Sequence, residues 1–155
     1  MTQEYVDGGG ALEAAVRDHN LLRILVQAAI QDVERTDRLA PSLVAPLAQH
    51  LLAHFRRAEA ELFPLAEGAA GDPRLPKTES LRREHLVLRE FLCDIESALA
   101  RRDRAGARGT LLELAASLRL HCDQEDALYF KTLDVRLGGA PAGPSASVKD
   151  KTHGT

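Results

Sequence analysis

Little in this 155-residue chain is aromatic: Phe, Tyr and Trp together make up 4%. The apolar set, 45% of the whole, is carried mainly by Ala and Leu. That balance favours helix over sheet, because aromatic and β-branched side chains are the ones that suit a pleated surface. No segment alternates apolar and polar residues with period two, the pattern of a half-buried strand. No run of about 18 apolar residues occurs, so no membrane-spanning helix is expected. A basic start followed by an apolar stretch, the mark of a secretory signal, is also missing. Neither charge dominates, with 20 Lys and Arg against 23 Asp and Glu. A nucleic-acid partner is not expected from that balance, although arginines are scattered along the chain. The two cysteines, Cys93 and Cys122, form no CxxC pair. Reduced thiols in a cytoplasmic protein are the simpler reading.

What is present is helical periodicity. Four segments carry apolar residues at a 3.6-residue spacing, from 11 to about 35, about 42 to 67, 78 to 100, and about 103 to 137. Short connections make neighbouring helices antiparallel. The expectation is an all-α domain over residues 11–137, an up-down-up-down four-helix bundle, with flexible tails over 1–10 and 138–155. Pro46 falls near the start of the second segment, where proline is tolerated. Pro64 predicts a kink or boundary. Gly71-Asp72-Pro73 marks the main loop. Gly106 and Gly109 weaken the first turns of the fourth helix.

The chain also repeats itself. His54-Phe-Arg-Arg-Ala58-Glu59-Ala60-Glu61-Leu62-Phe63 and His121-Cys-Asp-Gln-Glu125-Asp126-Ala127-Leu-Tyr-Phe130 share a leading His, an acidic residue at +5, Ala at +6 and Phe at +9. His19 lies 35 residues before His54, and His85 lies 36 before His121. Two helical hairpins thus contribute two histidines each at matched depth. Each histidine interrupts an apolar stripe: Ala15 and Leu22 flank His19, Leu47 and Leu51 precede His54, Leu81 and Leu88 flank His85, and Leu114 and Leu118 precede His121. Glu125, four residues after His121, shares its face. The repeat fails at one slot, since Ala58 stands four residues after His54.

Taken singly, a His on an apolar face is more often a core residue satisfied by a hydrogen bond. Four of them, one per helix in a repeated spacing, are not independent accidents. Burying them unpaired is costly, and a metal removes the cost by taking the lone pairs. Imidazole and carboxylate without thiolate suit iron, manganese or zinc. The candidate ligands are His19, His54, His85, His121 and Glu125, with Asp126, Glu61 and His50 in reserve. That number suits two metals better than one.

The order of these residues resembles the hemerythrin-like, or HHE cation-binding, family. The likeness covers about residues 11–137 and includes the Leu62-Phe63-Pro64 end of the second helix. The resemblance implies a non-haem di-iron centre that binds dioxygen or a related small molecule, or that stores or senses iron. Carried over by position, its ligands are His19, His54, His85, His121 and Glu125, with Asp126 as the alternative to Glu125. Two departures stand out. Leu81 occupies the place of a second third-helix His found in marine hemerythrins. Ala58 replaces the bridging Glu of the second helix, and a methyl group cannot bridge metals. Glu59, at +5, points about 140° away from His54 and reads as a solvated residue. Glu61, at +7, and His50, at −4, return to the His54 face, and either could supply the missing ligand. Their bland alternatives are a helix-end salt bridge and an interhelical hydrogen bond.

Two functional readings follow. One is a hemerythrin-like protein with two irons, or one, whose partner is a small molecule such as dioxygen, nitric oxide or peroxide. The other is a degenerate, metal-poor bundle acting as an interaction or regulatory module, a reading that Ala58 keeps open. An oxygen-activating enzyme is disfavoured, because such bundles usually show four carboxylates. Cys122 faces about 100° from His121 and reads as a small buried hydrophobe.

Overall fold

The computed structural model describes residues 8–68 and 76–137. Its helices are α1 (Gly8–Thr36), α2 (Pro41–Arg57), α3 (Phe63–Gly68), α4 (Thr78–Ala100) and α5 (Arg104–Leu137), with a π-helical turn (Ala58–Leu62) joining α2 to α3. Because α2, the π turn and α3 run on without a break, the molecule is a bundle of four helical rods. No strand occurs among the described residues. The rods pack in a ring, with α1 against α2 and α5, and α4 against α5 and α2. The brief connections at 37–40 and 101–103 make those neighbours antiparallel.

Several boundaries follow the periodicity closely, and α4 spans the expected segment. α1 begins at Gly8, so Gly8–Gly10, expected in a flexible tail, are helical instead. The remaining expected tails, 1–7 and 138–155, and the loop over 69–75 lie outside the described residues. The boundary expected near Pro64 is the passage from the π turn to α3 at Phe63, and the rod runs on through it. The Pro64 ring would crowd the carbonyl four residues back in a regular α-helix. The π turn, closed by the Phe63 N–H on the Ala58 carbonyl, widens the helix immediately before it. At the other end of the molecule, Arg102 takes a left-handed conformation (φ 58°) and the Asp103 N–H returns to the Ala98 carbonyl at 2.8 Å, closing α4. Asp103 then caps α5, its Oδ1 accepting from the Gly106 N–H at 2.9 Å. A Cβ at Gly106 would lie 2.2 Å from the same carboxylate. The glycine that weakens the helix on propensity is what leaves room for its cap.

The apolar core is divided. A larger cluster contains Leu22, Val26, Leu47, Leu51, Phe55, Leu88, Leu92, Leu111, Leu114 and Leu118. A smaller one contains Ala11, Ala15, Ala58, Leu62, Phe63, Leu81, Leu128 and Tyr129. Along each rod the switch from one cluster to the other falls at or just after a histidine: between Ala15 and Leu22, between Phe55 and Ala58, between Leu81 and Leu88, and between Cys122 and Leu128. The four histidines and Glu125 therefore form a polar layer across the bundle.

Candidate metal centre

His19, His54, His85, His121 and Glu125 are each no more than 1% exposed. Glu125 sits at the middle of the group. Its Oε2 lies 3.0 Å from His19 Nε2 and 3.1 Å from His54 Nε2. Its Oε1 lies 3.1 Å from His121 Nε2 and 3.3 Å from His85 Nε2. One carboxylate thus faces two histidine pairs, one with each oxygen. Ligand atoms from His54, His85, His121 and Glu125 all fall within 4.8 Å of one another. The His85 ring is held by stacking on Phe55 (centroids 4.1 Å apart, planes 26° apart) and on Phe63 (5.5 Å, 19°).

The outward nitrogens have carboxylates of their own. His19 Nδ1 meets Asp126 Oδ1 at 2.6 Å, His85 Nδ1 meets Glu59 Oε1 at 2.7 Å, and His121 Nδ1 meets Glu84 Oε2 at 2.8 Å. His54 Nδ1 lies 3.9 Å from Asp18 Oδ2, beyond hydrogen-bond reach. These carboxylates are anchored in turn: Asp126 by Arg23 at 3.2 Å, Asp18 by Arg57, Glu59 by Arg89 at 3.7 Å. With its amide turned to present nitrogen, Gln124 donates to Glu84 at 2.8 Å. The arginines scattered through the sequence therefore include three that hold this outer shell.

The arrangement follows the internal repeat. The acid just before each upstream histidine, Asp18 or Glu84, faces the other histidine of its own hairpin, His54 or His121. The acid at +5 from each downstream histidine, Glu59 or Asp126, crosses to the upstream histidine of the other hairpin, His85 or His19. Acids at −1 and +5 in both halves were the available signal; the −1 pair was missed. Asp126, expected as an alternative to Glu125, lies outside the inner group because its carboxylate takes the far nitrogen of His19.

The second helix departs further from expectation. His54 stands at the edge of the buried arc of α2, which runs through Leu47, Leu51, Phe55 and Ala58. Position −4 falls about 40° beyond that edge, on the solvent side, and the π turn carries +7 off the arc as well. His50 and Glu61 are accordingly exposed and outside the cluster. Glu59, expected to be solvated, lies near the opposite edge of the arc, where α4 brings His85 to it. Ala58 is fully buried.

Charge in the layer is strongly coupled. Burial alone would raise the Glu125 carboxyl, but His121, His19, His54 and His85 hold it well below the usual range. Burial opposes protonation of His54, yet Asp18 and Glu125 outweigh it and lift the imidazole to about 9. His19 is raised likewise, burial being outweighed by Asp126 and Glu125. Burial, reinforced by Glu125, pushes the Cys122 thiol up to about 12. Among the described residues, three buried side-chain atoms make no well-aligned hydrogen bond: both ring nitrogens of His54 and the Tyr129 hydroxyl. The 3.1 Å approach of His54 Nε2 to Glu125 is thus a charge contact without hydrogen-bond alignment. An orphaned imidazole beside a buried carboxylate and three further imidazoles is a donor set that fits a cation.

The family model for the Hemerythrin HHE cation binding domain matches residues 10–133. The chain belongs to that family. No curated protein and no solved structure matches it. The hemerythrin match takes in most of all four helical rods and every residue of the polar layer. No helix among the described residues is long and apolar enough to cross a membrane.

Proposed function

We propose that this hemerythrin-like chain holds two iron ions between its four histidines, with Glu125 as the carboxylate they share, and uses them to bind or sense a small molecule such as dioxygen or nitric oxide. The observation that carries this reading is the division of labour at Glu125, whose two oxygens each face one histidine pair. Such a layout suits a pair of cations better than one. Iron there supplies a redox-active Lewis-acid centre able to take a small oxygen- or nitrogen-containing ligand. The chain does the rest. The outer carboxylates Asp126, Glu59 and Glu84 fix the orientation of the His19, His85 and His121 rings and raise their basicity. The two apolar clusters keep the polar layer dry. The cytoplasm suits the unpaired Cys93 and Cys122.

Metal-free protein titrated anaerobically with ferrous iron should take up about two ions per chain, as the donor count implies. Replacing Glu125 or any of the four histidines by Ala should lower that number. Admitting air or nitric oxide should then change the visible spectrum. An intact helical protein that takes up no iron would overturn the proposal and favour the metal-poor interaction module that Ala58 keeps in view.

A further inference from the structure

The inner group has lost one anionic ligand position on the second rod, where Ala58 is packed at 0% exposure. Its methyl lies in the smaller core cluster, together with Leu62, Phe63, Leu81, Leu128 and Tyr129. Only one side-chain oxygen occurs in that cluster, the hydroxyl of Tyr129. Tyr129 is itself fully buried, and its hydroxyl has no hydrogen-bond partner. A buried phenol normally finds one, since an unpaired hydroxyl has lost its hydration with nothing in return. The residue lies one helical turn after Glu125, and helical side chains lean back toward the preceding turn. Burial, reinforced by the nearby Glu125 carboxylate, raises the phenol well above its usual range, and no well-aligned hydrogen bond forms between the two groups. Phe63, with its ring centroid 6.5 Å from that of Tyr129 and 5.5 Å from that of His85, links the phenol to the histidine layer through direct packing.

We propose that Tyr129 is an additional metal ligand, its phenol oxygen supplying the anionic donor that Ala58 cannot. On binding, the phenol O–H breaks, its proton leaves to solvent, and the oxygen lone pair bonds to the cation, with no change of oxidation state. This rests on the reading of the layer as an iron site. It goes beyond that reading because it brings in a residue outside the His-and-Glu set and explains how the bundle tolerates Ala58.

The test is Tyr129→Phe, which keeps the ring and removes only the orphaned oxygen. Iron-loaded, air-oxidised wild type should show a phenolate-to-ferric charge-transfer band in the visible, with tyrosinate modes in its resonance Raman spectrum. Both should vanish in the variant. Iron affinity should fall by at least about 10-fold, since losing a direct ligand costs no less than losing a hydrogen-bond partner of one. Metal-free, the variant should melt at or above the wild-type temperature, because an unsatisfied buried hydroxyl has been removed. Iron-loaded, it should melt below it. If wild type binds iron but shows no tyrosinate signature, or if the variant keeps full affinity, the Tyr129 assignment is wrong and the histidine–Glu125 site stands. If wild type binds no iron, both fall, and metal content tells the two outcomes apart.

Discussion

Glu125→Gln is the most informative change to the metal-free protein. The side chain keeps its shape, loses its charge and offers one acceptor where there were two. Its effect can be bounded through His54, whose pKa is lifted from 6.5 to about 9. A shift of that size corresponds to about 3.4 kcal/mol when fully expressed, and to about 2.6 kcal/mol at pH 7. Asp18 and Glu125 share it, so removing the Glu125 charge should cost about 1–2 kcal/mol at neutral pH, or about 2–8 °C in Tm for a domain of this size. The sign follows from the direction. The folded-state pKa is raised, so the stabilisation is complete below about pH 6.5 and is lost as pH rises through about 9. The penalty of Glu125→Gln should therefore be largest near pH 6 and should disappear by about pH 10, where wild type keeps a buried carboxylate facing a neutral imidazole. Chemical denaturation of chelator-treated protein at several pH values measures it. A penalty of equal size at pH 6 and pH 10 would refute the charge argument and leave only packing or hydrogen-bond geometry.

Metal uptake should grow tighter with pH, by up to about tenfold per unit between pH 7 and 9, because a cation must displace the His54 proton; chelator competition with parallel measurement of released protons checks this. Glu84→Ala should weaken iron binding by about 10–100-fold without abolishing it, since it removes the partner of His121 Nδ1 and not a donor of the inner group. His50→Ala and Glu61→Ala, both at exposed positions, should leave metal content and Tm within experimental scatter of wild type. Ala58→Glu places a carboxylate in a fully buried slot, so the metal-free variant should lose several kcal/mol of stability, and iron should restore a larger Tm increment than it gives wild type. An Ala58→Glu protein equally stable without metal would mean that the slot is open to water.

Much of this was legible in the sequence because both periodicities involved are local. The four helices follow from apolar spacing. The depth of the histidines follows from where they interrupt that spacing, and α4 begins and ends where its pattern does. The second rod was harder to read. A face drawn through His54 alone takes that residue as the centre of the stripe, whereas the buried arc is centred well to one side of it. That rotation moves His50 and Glu61 into solvent and brings Glu59 to α4. The outer carboxylates were half visible. Glu59 and Asp126 stand out as the matched +5 acids, but which histidine each one faces depends on which rods are neighbours, and that is tertiary information. Tyr129 gave no signal, because a phenol on an apolar stripe reads as core and only packing shows that its oxygen has no partner.

The near-twofold repeat also clarifies what the loss at Ala58 does. If both halves carried the +4 carboxylate, two inner anions would face the four imidazoles and each half would balance its own charge. With Ala58 in one half, Glu125 alone faces both pairs, so in the metal-free layer, where Tyr129 is a neutral phenol, the balancing negative charge comes from outside the centre. The four outer carboxylates are placed to do this. Asp126, Glu59 and Glu84 accept from the far nitrogens of three rings and Asp18 stands near the fourth, each polarising its imidazole so that the inward nitrogen becomes a better donor. Three of them are pinned by arginines and one by Gln124, which keeps these half-buried groups turned toward the rings. The weakest link is at His54, the one ring of the four in the layer whose nitrogens make no hydrogen bond, and it lies on the rod that carries Ala58 in place of a carboxylate. On the proposed reading, the His54 side of the layer should release its cation first, and Asp18, the carboxylate not yet in hydrogen-bond contact, is the one with furthest to move when a cation arrives.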